Sequence, residues 1–223
     1  MIYIQGYSGK TGSEVYRLFQ EKGLAVQGID EHHPFPSSFP LTHEKSVIID
    51  FSTPTATEKA VGIALKYGYP MIIGTTGIEE AKIQKWDQEA KKKGIGIYVL
   101  ENYLPSLQCL QTFLKQVEIF FPSISIEETH HESKKDAPSG TAKMLRRCIN
   151  QKKVVPIRSN RVKIYTYEHT IHLQNENEEI VLTHRCFSKR AYAWGVWEAF
   201  QTIHSFIGVR RFLEVRKNGD ESI

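Results

Sequence analysis

Residues Glu128 to Ala142 read ETHHESKKDAPSGTA. Two adjacent histidines, two adjacent lysines and several acids crowd ahead of a Pro-Ser-Gly-Thr break that has the form of a helix start. An imidazole can take or give a proton near neutral pH, and an ammonium supplies three donors and a positive charge. Ser139 or Thr141 can cap the helix, while its first amides can bind a carboxylate. On an extended segment His130 and His131 point in opposite directions, so one can face a reaction while the other binds or orients. Lys134 offers positive charge and a second source of a proton. A lone surface His or Lys carries little meaning; this density suits a carboxylate-bearing substrate held beside an acid–base centre.

A second constellation stands at the N-terminus. The turn after the first apolar run is Gly6-Tyr7-Ser8-Gly9-Lys10-Thr11-Gly12, with the spacing G-x-x-G-x-x-G. Glycines there permit a tight turn and a close backbone approach to a pyrophosphate, and the following helix offers its N-terminal amides to the anion. That spacing is one residue away from the commonest dinucleotide fingerprint, so its context of strand, turn and helix carries the reading. Asp30 ends the second strand about 20 residues after the glycines, where an acid accepts hydrogen bonds from a ribose. Glu31 follows it where an Arg would welcome a 2′-phosphate, which favours NADH over NADPH. Gly74-Thr75-Thr76-Gly77 closes a later strand and opens a helix, the edge at which open α/β sheets bind ligands; a plain helix cap is a compatible reading.

The elements that must position these residues fall into two groups. Met1–Gln5, Leu24–Ile29, Ser46–Phe51, Pro70–Ile73 and Ile95–Leu100 read as strands. They alternate with helices over Gly12–Lys22, Thr55–Tyr67 and Glu79–Lys93. That rhythm predicts a Rossmann-type, doubly wound α/β lobe with a parallel sheet. Residues 31–43, rich in Pro and Ser, read as loop. From about residue 103 the rhythm changes. Helix over 106–121, strand over Ser123–Glu128, helix over Thr141–Asn150, strands over Arg161–Leu173 and Glu179–Cys186, and a last helix over Ala191–Phe206 predict an α+β lobe with a mixed sheet. Residues 1–102 are expected to bind the dinucleotide and 103–200 the substrate, with a tail from about 201 to 223 returning to the first lobe. Two lobes could close to keep water from a hydride path.

Composition narrows the classes. The 223 residues are 40% hydrophobic and 24% charged, with a net charge of +4, and suffice for a sizeable core. The charge permits an anionic ligand but gives no case for nucleic acid. No apolar run is long enough to cross a bilayer, and MIYIQGYSGK lacks the form of a signal peptide, so a cytoplasmic location is expected. Cys109, Cys148 and Cys186 suit neither a disulfide framework nor a zinc site.

The chain resembles the 4-hydroxy-tetrahydrodipicolinate (dihydrodipicolinate) reductase family, whose signature E-x-H-H-x-x-K-x-D-A-P-S-G-T-A is met at Glu128, His130, His131, Lys134, Asp136 and Ala137–Ala142. The N-terminal Gly loop, Asp50-Phe-Ser-x-Pro54, Gly74–Gly77 and Asn102-Tyr103 follow the family order, so the resemblance spans nearly the whole chain. It implies an enzyme of diaminopimelate and lysine biosynthesis that uses NADH or NADPH to reduce a small cyclic dicarboxylate. By the same resemblance His130 is a proton donor or acceptor, Lys134 a second proton donor, and His131, Gly140 and Thr141 hold substrate carboxylates. Gly6 to Thr11, Gly74 to Thr76, and Leu100, Glu101, Asn102 and Tyr103 line the cofactor. No metal, no membrane and a homotetramer are implied.

The chain also departs from the family. Leu104-Pro105-Ser106 replaces a Ser-x-Gly run, Lys163 and Tyr167 stand where the family has glycines, Lys189 stands for an Arg, and the 151–160 segment is shorter than in many members. His169 and His184 read as strand-packed or interface residues. Another nicotinamide-dependent imine or amino-acid oxidoreductase, and a non-catalytic dinucleotide-binding homologue, remain open at this level; the second would ordinarily lack His130 or Lys134.

Overall fold

In a computed structural model, which describes residues 1–37, 46–163 and 167–211, the chain divides into two compact units. Met1–Pro105 and the segment from Tyr192 onward form one; Ser106–Ala191 form the other. The elements in chain order are β1 (Ile2–Gln5), α1 (Gly12–Glu21), β2 (Val26–Ile29), β3 (Val47–Asp50), α2 (Pro54–Tyr67), β4 (Met71–Ile73), α3 (Glu80–Lys93) and β5 (Gly96–Val99). They continue with α4 (Pro105–Val117), a single 3₁₀ turn, β6 (Ser123–His131), α5 (Gly140–Arg147), β7 (Ile157–Val162), β8 (Tyr167–Gln174), β9 (Glu179–Cys186), α6 (Arg190–Thr202) and β10 (Gly208–Arg210).

The first unit holds a six-stranded sheet in the order β10-β5-β4-β3-β1-β2, parallel throughout. Its four central strands, β1, β3, β4 and β5, are buried on both faces, which is why they read as largely apolar runs, while the edge strands β2 and β10 are half-buried. Alternation then sorts them: Ile2, Ile4, Val47, Ile49, Ile72 and Tyr98 face one apolar layer with α1 and α6, while Tyr3, Ile48, Met71, Ile73 and Ile97 face the other with α2 and α3. The helices carry the end signals expected of them. Thr53 caps α2 by accepting from the Ala56 amide, and three lysines in the last turn of α3 complement its dipole.

The second unit holds a mixed sheet ordered β7-β6-β8-β9. β6 runs parallel to β7 and antiparallel to β8, and β8 runs antiparallel to β9. Leu114, Ile124, Ile126, Ala142, Leu145, Ile149, Ile171 and Leu173 form its core. Among the described residues no helix is long and apolar enough to cross a membrane.

Three expectations change. The strand expected to end at Glu128 runs on to His131, because pairing with β7 continues as far as His131 against Val162. The single strand expected over Arg161–Leu173 is two, β7 and β8. They flank β6 on opposite sides and in opposite senses, so no continuous strand can serve as both; residues 164–166 lie outside the described set. The last helix, expected over Ala191–Phe206 with its greater part in the second lobe, lies from Tyr192 in the first unit. Ala193, Val196, Ala199 and Ile203 are fully buried there, and a Cβ on Gly195 would sit 1.4 Å from the Tyr103 carbonyl oxygen. After it β10, unforeseen in the sequence, pairs with β5. Of the expected tail, residues 212–223 lie outside the described set.

Candidate active site

The two constellations lie on different units. In the first, the sheet order reverses around β1: the chain goes outward to β2 on one side and returns through β3 on the other. The crevice beyond the carboxyl ends of such strands is where open α/β sheets take ligands. Gly6 leaves β1 at φ +76°, and a Cβ on it would lie 2.4 Å from the Phe51 carbonyl oxygen. A Cβ on Gly12 would lie 2.1 Å from the Gly6 carbonyl oxygen, so the loop folds tightly onto the start of α1. No side chain caps that helix start, and Ser8, Gly9 and Lys10 are exposed. A tight glycine cradle with an uncapped helix end fits the pyrophosphate of a dinucleotide.

Asp30, at the end of β2, accepts through Oδ1 from the amides of His32 (3.0 Å) and His33 (2.9 Å) and lies 3.0 Å from the His33 ring nitrogen Nδ1. Desolvation works to raise its pKa, but the His33 ring and the two amides overturn this and hold the carboxyl below the usual Asp range. The Tyr7 hydroxyl reaches the same imidazole at 3.2 Å.

Other expected cofactor residues point inward. Thr75 donates to Asp50 Oδ2 at 2.7 Å and accepts from the Ser52 amide at 3.0 Å. Asp50 is fully buried and also takes the hydroxyls of Ser52 and Thr57, each at 2.5 Å. Burial raises its pKa above the ordinary value although these donors oppose it. This knot ties the ends of β3 and β4 to the start of α2. Leu100 and Tyr103 are buried, with the Tyr103 hydroxyl donating to the Ile73 carbonyl at 2.7 Å. The Asn102 side-chain oxygen accepts from the Leu104 amide at 2.9 Å. At these positions the backbone, rather than the side chain, is what a ligand can meet. Thr76 and Glu101 are exposed and Gly74 is half-buried.

The second unit gathers the titratable groups. On β6 the alternation of Ile124 and Ile126 continues into Glu128 and His130, which therefore face inward; Glu128 is fully buried and His130 nearly so. The His130 Nδ1 contacts Glu128 Oε2 directly. Glu128 Oε1 accepts from Arg161 Nη2 at 2.9 Å and from the Ser139 amide at 3.3 Å. The rings of His169 and Tyr167 meet the His130 ring edge-on, with centroids 5.2 Å and 5.6 Å away. His131 turns outward, its Nδ1 accepting from the Ser133 amide at 3.2 Å. Lys134 Nζ lies 2.8 Å from Asp136 Oδ1. Ser139 caps α5 by accepting from the Ala142 amide at 3.1 Å, and its hydroxyl lies 3.1 Å from His169 Nε2. Gly140 and Thr141 form the first turn of that helix.

Burial works to raise Glu128, but bonds from Arg161 and Ser159, with the charges of His130 and Arg161, leave its carboxyl below the ordinary range. His130 is lowered, first by burial, then by Lys134 and Arg161, against the opposing pull of Glu128. His169 is lowered to about 3 by burial and the neighbouring His130. At neutral pH His169 is uncharged, and burial works against the charged form of His130 beside a carboxylate and a guanidinium.

The structure thus brings His130, His131, Lys134, Gly140 and Thr141 together on one unit and the Gly6–Thr11, Asp30 and Gly74–Thr76 segments on the other. The sequence reading gave no role to Glu128, Arg161 or Asp50, and it set His169 aside. Two-residue alternation on β6 was the available signal for Glu128. Arg161 and His169 arrive by strand register, which leaves no local trace.

Models of the dihydrodipicolinate reductase family match nearly the whole chain, the N-terminal part over residues 1–103 and the C-terminal part over 106–213. A protein from Thermosipho africanus named 4-hydroxy-tetrahydrodipicolinate reductase is 31% identical over 203 residues, covering 90% of this chain and 89% of that one. One of the same name from Limosilactobacillus fermentum is 30% identical over 168 residues, 67% of this chain and 65% of its own length. In three dimensions the chain is similar to a dipicolinate-bound dihydrodipicolinate reductase from Paenisporosarcina sp. TG-14, with a TM-score of 0.77 at 21% identity over 94% of this chain and 96% of that one. With a doubly wound sheet, a glycine cradle and the family signature on one chain, these matches show that it belongs to the 4-hydroxy-tetrahydrodipicolinate reductase family, NAD(P)H-dependent oxidoreductases of diaminopimelate and lysine biosynthesis.

Proposed function

We propose that His130 and Lys134 carry the proton chemistry of this reductase, and that His131 with the α5 turn at Gly140 and Thr141 holds the carboxylates of a small cyclic dicarboxylate. The observation that carries this reading is the buried His130, pinned at Nδ1 by Glu128 and four residues ahead of Lys134. A nicotinamide dinucleotide supplies the hydride when bound. Negative charge then develops on the conjugated imine ring, and Lys134 is suited to offset it and to give the proton that completes the reduction. Asp136 holds the ammonium at 2.8 Å until a substrate carboxylate competes for it. His130, neutral, presents a basic Nε2 for accepting and returning a proton. The carboxylates meet fixed donors at a helix start, where amides and dipole favour an anion.

In this reading the first unit holds the dinucleotide through Gly6, Tyr7, Ser8, Gly9, Lys10 and Thr11, through Gly74, Thr75 and Thr76, and through Leu100, Glu101, Asn102 and Tyr103, largely by backbone. Asp30 takes the ribose hydroxyls. Its carboxylate and Glu31 repel a 2′-phosphate, so NADH is the preferred donor. Support for this preference is the place of Asp30 at the end of β2, with Oδ1 fixed by the amides of His32 and His33. The second unit takes the substrate and the contacts of a homotetramer; the exposed Val181 on the outer strand β9 and the exposed Phe187 just beyond it favour assembly there.

The test is turnover with substrate freshly generated from pyruvate and aspartate semialdehyde, comparing wild type with His130→Asn and Lys134→Ala and NADH with NADPH. Loss of kcat in both variants with retained NADH binding is expected, as is a kcat/KM for NADH about tenfold or more above that for NADPH. Wild-type turnover by either variant removes its assigned role, and equal use of the two nucleotides removes the preference.

A further inference from the structure

The signature residue Glu128 is wholly buried, and no role follows for it from the hydride or proton steps. Its two oxygens are engaged separately. Oε1 accepts from Arg161 Nη2 and the Ser139 amide, Ser159 bonds the carboxylate as well, and Oε2 meets His130 Nδ1. A carboxylate only accepts, so the shared proton sits on Nδ1 and Nε2 is left as the basic atom. The partner that keeps this carboxylate charged does more. Arg161 pairs directly opposite His130 in the β6–β7 register. Its Nε donates to the Lys134 carbonyl at 3.2 Å, its Nη2 also to the Asp136 carbonyl at 2.6 Å, and its Nη1 to the Asn160 carbonyl at 2.7 Å. One guanidinium therefore fixes the carboxylate behind His130 and the backbone that carries Lys134. The edge-on rings of His169 and Tyr167 hinder rotation of the His130 imidazole.

We infer that Glu128 and Arg161 are positioning residues: their ion pair, buried at the carboxylate, fixes the tautomer and orientation of His130 and sets Lys134 in register with it. This rests on the acid–base roles proposed above for His130 and Lys134. Wild-type enzyme labelled with ¹⁵N-histidine, read by long-range proton–nitrogen correlation, should show His130 protonated at Nδ1 and bare at Nε2. The variant Glu128→Gln, whose amide can present a donor to Nδ1 and so permit the other tautomer, should lower kcat about 100-fold with KM changed less than about threefold. That loss should disappear in a His130→Asn background, because a residue that acts only through the imidazole has nothing left to position. Arg161→Lys, which keeps the charge but not the fork, should lower kcat about tenfold or more and reduce the Nδ1-protonated population.

An Nε2-protonated His130 in the wild type overturns the inference. So does a Glu128→Gln loss of equal size with and without the imidazole, which marks a merely structural carboxylate. Should Glu128→Gln fail to fold because Arg161 loses its counter-charge, the wild-type tautomer still decides. A His130→Asn enzyme with full turnover overturns the acid–base reading and the inference resting on it. It is told apart from failure of the positioning alone, in which His130→Asn is inactive but His130 is found in the other tautomer.

Discussion

The glycine loop of the first unit and the titratable cluster of the second are built from opposite materials. The loop is glycine and backbone, and its geometry rests on the absence of Cβ atoms at Gly6 and Gly12. The cluster is side chains, with a buried imidazole beside a buried carboxylate whose charge a guanidinium balances. A ligand bound by amides needs a shape that any bulk destroys. A proton carrier needs a particular atom with its pKa moved, and burial with charged neighbours is how a fold moves it. Substitutions in the loop should therefore act by steric strain and show in binding. Substitutions in the cluster should act electrostatically and show in turnover.

The largest expected effect lies in the cluster. Lys134→Ala should cut kcat by about 10³-fold, within the range for losing a general acid, while NADH affinity by fluorescence titration stays within about threefold. A large loss of NADH affinity would place Lys134 in the wrong half of this division. Next is the loop. Gly6→Ala forces a left-handed φ on a residue with a Cβ, whose atom would fall 2.4 Å from the Phe51 carbonyl oxygen. Strain of about 1–3 kcal/mol translates to about 5- to 150-fold weaker NADH binding, with the melting temperature lowered as well. Binding as tight as wild type would show that the cradle has slack.

The pH dependence of stability separates the units more finely. His169, at about 3, stays neutral in the folded protein, and His130 is lowered in the same direction, while their unfolded counterparts take up protons below about 6.5. Folded pKa values below the unfolded ones mean stability that is whole above the unfolded value and lost as pH falls. Each site should remove up to about 1.4 kcal/mol per pH unit, for His169 over the window from about 6.5 to about 3. Urea melts at pH 7 and pH 5 measure the slope. His169→Gln should flatten it, and an unchanged slope would show that His169 is not held neutral. The smallest effect returns to the first unit. Asp30→Ala should weaken NADH about three- to tenfold while leaving NADPH unchanged or improved, read as a ratio of kcat/KM values. An equal loss for both nucleotides would show that Asp30 does not discriminate.

How far the two sites could be read in advance follows from the same division. The glycine loop was legible because apolar run, glycine turn and amphipathic helix are consecutive in the chain. The Pro-Ser-Gly-Thr start of α5 was legible for the same reason, and Ser139 caps it. Local patterning also implied the inward face of Glu128, through its alternation with Ile124 and Ile126. Thr75 and Tyr103 mislead in isolation. Both sit in segments expected to meet the cofactor, yet the Thr75 hydroxyl closes on Asp50 and the Tyr103 hydroxyl on the Ile73 carbonyl, because an unpaired polar group in that core would be costly. Strand boundaries erred where pairing rather than composition sets the end, as at His131 and between β7 and β8.

By itself, the sequence determined the doubly wound sheet, the mixed second sheet, and which short segments hold glycine, imidazole and ammonium, since each follows from periodicities of two and 3.6 and from turn residues at fixed spacing. Only the tertiary structure decided which charges meet. Arg161 reaches Glu128 across 33 positions because β7 lies parallel to β6 at one register, and His169 reaches Ser139 across 30 because β8 lies on the other side. A shift of one residue in either pairing would turn those side chains to the opposite face. The set of partners around His130 is a property of that register, and no local stretch of chain contains it.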